Sequence, residues 1–167
     1  MSNFAVLAVL LIRVEVPSPV LNLEDPDLKF PLVRQEAGTP GEREVGWTLW
    51  ERPGEFVGIG YLGSLIDTPP QPTKIYKGTK LLIGKVEEGL ASWYRYGGGL
   101  TTASTKYPKG TYLRVTNLAN GRSVIVKVND FGPEEHTGRL VDLERIAFQK
   151  LAPLSLGVIR VRVEEIL

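Results

Sequence analysis

Two aspartates in the second half of the chain have the residue type and placement that acid–base chemistry uses. Asp130 ends an alternating apolar segment, and a turn signal follows it at 131–133. A carboxylate at a strand end that faces a cleft can act as a general acid, because partial burial raises its pKa. The alternative for Asp130 is local turn chemistry, in which its side chain caps nearby N–H groups. Asp142 precedes a segment with helical spacing, so it is a candidate N-cap, and a capping carboxylate can also serve as a base or an electrostatic partner.

Aromatic side chains near a glycine run are candidates for sugar contacts. Tyr94 and Tyr96 precede the glycines at 97–99, and aromatic rings with a polar tip can stack on sugar faces. Trp93, inside a predicted strand, is better placed for the core. His136, the only histidine, follows the Asp130 turn; it is either a solvated loop residue or a site residue that titrates near neutral pH.

Composition excludes several classes of function. The chain has 167 residues, of which 43% are apolar and 23% charged, so it can form one large domain or two small ones. A net charge of +1 gives no electrostatic case for binding nucleic acid. The chain has no cysteine and a single histidine, so disulfides, thiolate or multi-histidine metal sites and cysteine nucleophiles are excluded. We expect neither a metal nor a cofactor.

Two motifs in the first half favour strands. The pattern G-x-G-x-x-G at 58–63 precedes adjacent prolines at 69–70, where a dinucleotide site would need a helix, so tight or bulged strands are predicted. The longest apolar run, 4–12, is about half the length that spans a bilayer. It lacks a basic leader and a small-residue cleavage site. We therefore predict a strand there, no membrane span and no clear signal peptide.

Periodicity predicts a mainly β chain in two parts. In the first half we expect a loop at 35–44, a hairpin of short strands at 45–65 and a proline-rich linker or loop at 67–72. A strand at 80–86 leads into the second half. There the alternating segments predict strands at 90–94, 111–116, 123–128 and 158–163, with an Asn-Gly turn within 117–121. One helix is predicted at 142–151. This order suits a small barrel with one helix packed outside.

Five blocks of the second half resemble the rare lipoprotein A (RlpA) domain in order and spacing. The blocks are 89–94 (GLASWY), 108–111 (PKGT), 113–124 (LRVTNLANGRSV), 128–133 (VNDFGP) and 138–143 (GRLVDL). The resemblance covers about residues 87–165. It implies a six-stranded double-psi β-barrel with one short helix, here preceded by a small β-rich region. We therefore expect domains at 1–84 and 85–167.

The resemblance also implies an activity, that of a lytic transglycosylase, a lyase that cleaves peptidoglycan glycan strands. The family's active-site aspartate matches Asp130, with Phe131 where the family usually has arginine, and a second aspartate matches Asp142. The family's histidine position is occupied by Ser104, and its glutamate lies in a loop that is shortened here to 95–101.

These matches predict roles for single residues. Asp130 would be the acid and base, and Asp142 would stabilise positive charge on the sugar. Ser92, which matches a hydroxyl position of expansin-like relatives, and Ser104 would bond sugar hydroxyls. Tyr94 would offer a stacking face, and His136 would contribute to substrate binding.

Two other functions remain open at this point. The chain could be a non-catalytic wall-binding or expansin-like loosening module, because two catalytic residues of the family are unmatched. It could also be a structural component of a phage tail or similar assembly, with residues 1–84 contacting other subunits. Either way we expect a location in the cell envelope, outside the cell or on a virion.

Overall fold

Strand-forming segments with alternating side chains organise the chain into two units. The computed structural model describes residues 5–52 and 55–167, and the chain divides between Lys80 and Leu81. Phe4 and residues 53–54, which belong to predicted segments, lie outside the described residues. Within the described ranges, none of the helices has the length and apolar character needed to cross a membrane.

The N-terminal unit contains two three-stranded sheets. Its strands are β1 (Ala5–Val16), β2 (Val20–Lys29), β3 (Val33–Glu36), β4 (Gly41–Arg52), β5 (Glu55–Thr68) and β6 (Thr73–Lys80). One sheet has the order β1-β4-β5 and the other β2-β6-β3. The apolar run is therefore a strand from Ala5 onward, antiparallel to β4, as predicted.

Several boundaries in this unit differ from the predictions. The loop predicted at 35–44 is much shorter, because β3 continues to Glu36 and β4 begins at Gly41. The glycine motif at 58–63 lies inside β5, which pairs with β4 through register shifts, as expected for bulged strands. The proline-rich segment is a short connection between β5 and β6 within one unit. The strand predicted at 80–86 is interrupted, since β6 ends at Lys80 and the next strand begins at Ile83.

The C-terminal unit is a closed six-stranded barrel. Its elements are β7 (Ile83–Tyr94), β8 (Thr101–Ala103), β9 (Tyr112–Asn117), β10 (Ser123–Asp130), β11 (Arg139–Glu144), α1 (Arg145–Leu151) and β12 (Val158–Ile166). The strands follow the order β10-β8-β11-β7-β12-β9 around the barrel. β10 pairs with β8, and β11 with β7, in parallel, while the other pairs are antiparallel. The mainly β chain with a six-stranded barrel and one helix confirms the predicted fold class.

Alternation along the barrel strands builds the core. Every second residue of β9, β10 and β12 points inward, as the pattern Val124, Val126 and Val128 shows in β10. Phe148 and Leu151 of α1 complete the same cluster. Trp93 packs against it, and its Nε1 donates to the Leu154 carbonyl at 3.1 Å. Burial of these side chains holds the strand ends that carry the polar residues described below.

The predicted helix start was wrong. Asp142 and Leu143 lie in β11, paired with Ser92 and Trp93 of β7, and α1 begins only at Arg145. The N-cap position is Glu144, and its side chain makes no capping hydrogen bond. Asp142 is therefore not an N-cap. Pairing with strands on both sides outweighs the local signal that an aspartate before a helical pattern provides.

An ion pair between the neighbouring strands β9 and β12 predicts that the stability of the protein depends on pH. Arg114 donates to Glu164 through Nε at 2.6 Å and through Nη2 at 2.7 Å. The bond from Arg114 is the main reason that the pKa of Glu164 lies below its ordinary value. A depressed pKa in the folded state stabilises the protein above the unfolded pKa, about 4.3 for glutamate, and this contribution is lost as the pH falls through the folded pKa.

We expect the Glu164→Gln variant to lose less stability than the parent on acidification from about pH 6 to pH 3, a range that brackets the ordinary glutamate pKa. Thermal melting at a series of pH values measures this difference. The exposed Glu134→Gln exchange is the control. Parallel pH profiles for the parent and Glu164→Gln would show that the pair contributes nothing to acid sensitivity.

Candidate active site

The barrel brings Asp130 and Asp142 to opposite sides of one residue. In the register of β8, Ala103 is paired with Asp130 of β10 on one side and with Asp142 of β11 on the other. Residues opposite one another on neighbouring strands point to the same face of a sheet. Strands lie about 4.8 Å apart, so the two aspartate Cα atoms are about 10 Å apart. A register shift just before Asp130 marks a bulge, a device that re-aims side chains.

Asp142 is held by a hydroxyl and a guanidinium. Ser92, its partner across β7 and β11, donates its Oγ hydrogen to Asp142 Oδ1. Arg139 Nη1 donates to Ser92 Oγ at 2.7 Å and lies 3.5 Å from Asp142 Oδ1. The Asp142 side chain is 17% exposed, so it is oriented but still reachable from solvent. Ser92 is buried and positions Asp142, and its bond to a sugar hydroxyl stays a prediction.

Asp130 lies in a more open setting. Its side chain is 43% exposed, and Oδ1 accepts the Phe131 N–H at 2.9 Å. Lys109 Nζ is 3.6 Å from the same oxygen and 4.5 Å from the centre of the Phe131 ring. The lysine is therefore the cation beside this carboxylate. In the sequence analysis Lys109 is only part of the motif block 108–111, and its place beside Asp130 depends on the fold.

Tyr94 lies among the carboxylates. Burial is the first cause that raises the pKa of its phenol, and the negative charges of Asp130, Glu144 and Asp142 raise it further. Its hydroxyl oxygen is buried and has no hydrogen-bond partner in the described part of the chain. The charges of three acidic side chains therefore act on one phenol.

We predict that Tyr94→Phe leaves the free energy of unfolding within about 1 kcal/mol of the parent value, or raises it slightly. A buried hydroxyl without a partner has lost its bonds to water and gained none in return, so its removal relieves a penalty. Urea denaturation measures the change. A loss of more than about 2 kcal/mol would mean that the hydroxyl contributes a stabilising bond.

Glu144 is a site residue that the sequence analysis missed. It falls within the helix predicted at 142–151, but it ends β11, two residues after Asp142, so both side chains point to one face of the strand. Its residue exposure is only 3%, and Oε2 accepts the Tyr96 N–H at 3.0 Å. Had 139–144 been assigned as a strand, its period of two would have paired Glu144 with Asp142.

Ser104 and His136, two predicted sugar contacts, lie in different surroundings. Ser104 is 1% exposed, and its Oγ accepts the N–H groups of Lys106 and Tyr107 at 3.2 and 3.3 Å. It stabilises a turn and is buried, and its contact with a sugar stays a prediction. His136 lies in a 3-10 turn with a side chain 76% exposed, and its Nδ1 is 3.2 Å from Glu134 Oε2. In the described residues it makes no bond to either aspartate.

No cation site is apparent in this arrangement. Within residues 5–52 and 55–167, no three or more histidine or acidic side chains are grouped so that they could hold a metal ion. The groups available for chemistry around Asp130 and Asp142 are carboxylates, a hydroxyl, a guanidinium and an ammonium.

A family model described as "Lytic transglycolase" matches residues 86–163, which include both aspartates and all but the ends of the barrel. The barrel of this chain matches the RlpA-like double-psi β-barrel family. The RlpA-like relatives include three bacterial proteins named "Endolytic peptidoglycan transglycosylase RlpA". That of Neisseria meningitidis serogroup A is 39% identical over 94 residues, which cover 48% of this chain and 39% of the relative. That of Vibrio cholerae is 37% identical over 107 residues, covering 56% and 40%. That of Pseudomonas aeruginosa is 42% identical over 92 residues, covering 47% and 27%. The match thus spans about two fifths or less of each RlpA relative.

Two solved structures align with this chain at lower sequence identity than these relatives. A mutant Clavibacter michiganensis expansin in complex with cellohexaose aligns with a TM-score of 0.43 and 23% identity, over 50% of this chain and 51% of the expansin. The G5 domain of an IgA1 protease aligns with a TM-score of 0.35 and 24% identity, over 47% of this chain and 94% of that domain.

Proposed function

We propose that the barrel binds peptidoglycan glycan strands and cleaves them as a lytic transglycosylase at the cell envelope. The observation that carries this proposal is the placement of Asp130 and Asp142 on either side of Ala103, facing one side of the barrel wall. The RlpA relatives, named as endolytic peptidoglycan transglycosylases, support the choice of substrate.

Asp130 is the proposed acid and base. In its protonated form it gives its proton to the glycosidic oxygen, and the bond from that oxygen to the anomeric carbon breaks. The resulting carboxylate takes the proton of the sugar's own 6-hydroxyl, whose oxygen bonds to the anomeric carbon and closes an anhydro ring. Lys109, 3.6 Å away, stabilises the carboxylate between the two transfers. The exposure of Asp130 leaves room for a polymer to reach it.

Asp142 is the proposed electrostatic partner. Positive charge develops on the sugar as the glycosidic bond breaks, and a carboxylate on the other side of that bond stabilises it. Ser92 and Arg139 hold one oxygen of Asp142, which keeps the carboxylate in place without reorganisation during the reaction. No step of this scheme requires Ser104 or His136.

Digestion of purified sacculi by the full chain tests the proposal. We expect soluble products that end in anhydro sugars, identified by mass spectrometry. Saturable binding without any such product would contradict the catalytic proposal.

A non-catalytic wall-binding or loosening module is the second candidate. It is favoured by the departures from the family pattern, since Ser104 replaces a histidine and is sealed in a turn, and Phe131 replaces an arginine. The two candidates differ in turnover and agree on the ligand. The roles of residues 1–84 as an assembly region, and of the chain in a phage tail, stay predictions.

A further inference from the structure

A cavity of about 530 Å³ opens beside the start of α1. Its volume lies in the range of roughly 300–1,000 Å³ that small-molecule sites occupy. It is formed by the loop after β7 and the junction of β11 with α1, and its lining residues are Arg95, Tyr96, Gly97, Gly98, Glu144, Arg145 and Ile146. The catalytic scheme above makes no use of this cavity.

Glu144 is the buried acid of this cavity. Within the described part of the chain its carboxylate makes one hydrogen bond, from the Tyr96 N–H to Oε2, although an ionised carboxylate can accept about four. Such a group accepts hydrogen bonds and donates none. It therefore favours a ligand that presents hydroxyl or amide N–H groups.

The rest of the lining suits a ring with polar edges. Tyr96 is 74% exposed, so its ring can contact a flat apolar surface. A Cβ placed on Gly97 would meet no atom within 4 Å, so this wall of the cavity is open. The guanidinium groups of Arg95 and Arg145 supply donors for ligand carbonyl or hydroxyl oxygens.

The cavity adjoins the row of aspartates. Glu144 and Asp142 are two residues apart on β11, which corresponds to about 6.6 Å along a strand. Tyr94 pairs with Glu144 across β7 and β11 and also experiences the charges of Asp130 and Asp142. A ligand bound in the cavity would thus continue into the site of cleavage.

We propose that Glu144 is a further substrate-binding residue and that its cavity binds the sugar unit next to the cleaved bond through donors of that sugar. This inference rests on the proposed function, because it takes the same glycan as ligand. It adds a contact that acts on affinity, whereas Asp130 acts on turnover.

Calorimetric titration with a peptidoglycan tetrasaccharide freed of its stem peptides tests the inference. The titrations use the full chain with Asp130→Asn, so that the ligand is not consumed. Adding Glu144→Gln keeps the size of the side chain but removes its charge, and we expect Kd to rise about tenfold. Glu134→Gln, a matched exchange on an 81% exposed side chain, is expected to leave Kd within about twofold.

A second variant guards against misfolding of Glu144→Gln. Gly97→Leu adds a side chain where the cavity is open, without altering Glu144, and is expected to weaken binding at least tenfold with an unchanged melting temperature. An unchanged Kd in both variants would overturn the inference and leave the catalytic proposal standing. Weaker binding in both, with no anhydro products from the parent, would support the subsite and refute catalysis. If the Asp130→Asn chain without a second substitution binds no tetrasaccharide, the inference is overturned.

Discussion

Replacing Asp130 by Asn is expected to reduce the release of anhydro products from sacculi by a hundredfold or more, on the order of the loss seen when a general acid or base is removed. An amide neither gives a proton to the glycosidic oxygen nor takes one from the 6-hydroxyl. The fold should persist, because Asp130 is 43% exposed and the Asn oxygen can still accept the Phe131 N–H.

The matched control for this prediction is Glu134→Gln, the same carboxylate-to-amide change four residues further on. Its side chain is 81% exposed and contacts His136. Product release is measured by mass spectrometry at equal protein concentration, and folding by circular dichroism. Parent-level activity in Asp130→Asn would remove this residue from the chemistry, as would an equal loss in the control.

Replacing Asp142 by Asn is expected to lower both activity and stability. We expect product release to fall about tenfold to a hundredfold, because the amide lacks the charge that opposes the developing positive charge of the sugar. We also expect a loss of about 1–3 kcal/mol in the free energy of unfolding, because Arg139, whose side chain is only 30% exposed, loses its anionic partner.

A double-mutant cycle tests whether the loss of stability comes from the pairing of Asp142 with Arg139. Arg139→Met removes the guanidinium, and the combined variant should lose less stability than the sum of the single changes, with a coupling of roughly 0.5–3 kcal/mol. Urea denaturation supplies the stabilities, and sacculus digestion supplies the rates. Strict additivity would show that the Arg139–Asp142 pair does not act as a unit. Full activity in Asp142→Asn would remove this residue from the proposed mechanism.

Local patterns in the sequence were enough for four of the six barrel strands, whereas β8 was not predicted and the end of β11 was assigned to the helix. The alternation of valines in β10 and β12 marks which side chains point inward, and Gly121 at a φ of +71° closes the hairpin that the Asn-Gly pair predicts. The ordered motif blocks add the resemblance to a six-stranded double-psi barrel, which no local period contains. Asp130 was placed correctly at a strand end for the same reason, since the strand and the turn after it are both local signals.

The site itself depends on contacts between residues far apart in the chain. Asp142 carries the sequence signal of an N-cap, yet it is a strand residue because β7 and β8 pair with β11 on either side of it. One of these partners, β8, is only three residues long. The same pairing turns Glu144 toward the cavity. Ser104 has the residue type of a sugar contact, but the turn after β8 seals it.

The sequence by itself therefore determined the mainly β class, four of the six barrel strands and the family resemblance, and it singled out the two aspartates, because each of these is encoded in neighbouring residues or in ordered motifs. Only the tertiary structure decided which side chains surround those aspartates: Lys109 beside Asp130, Ser92 and Arg139 beside Asp142, and Glu144 at the adjoining cavity. Closing a barrel joins strands through registers that no local pattern specifies, and these registers set which polar groups meet.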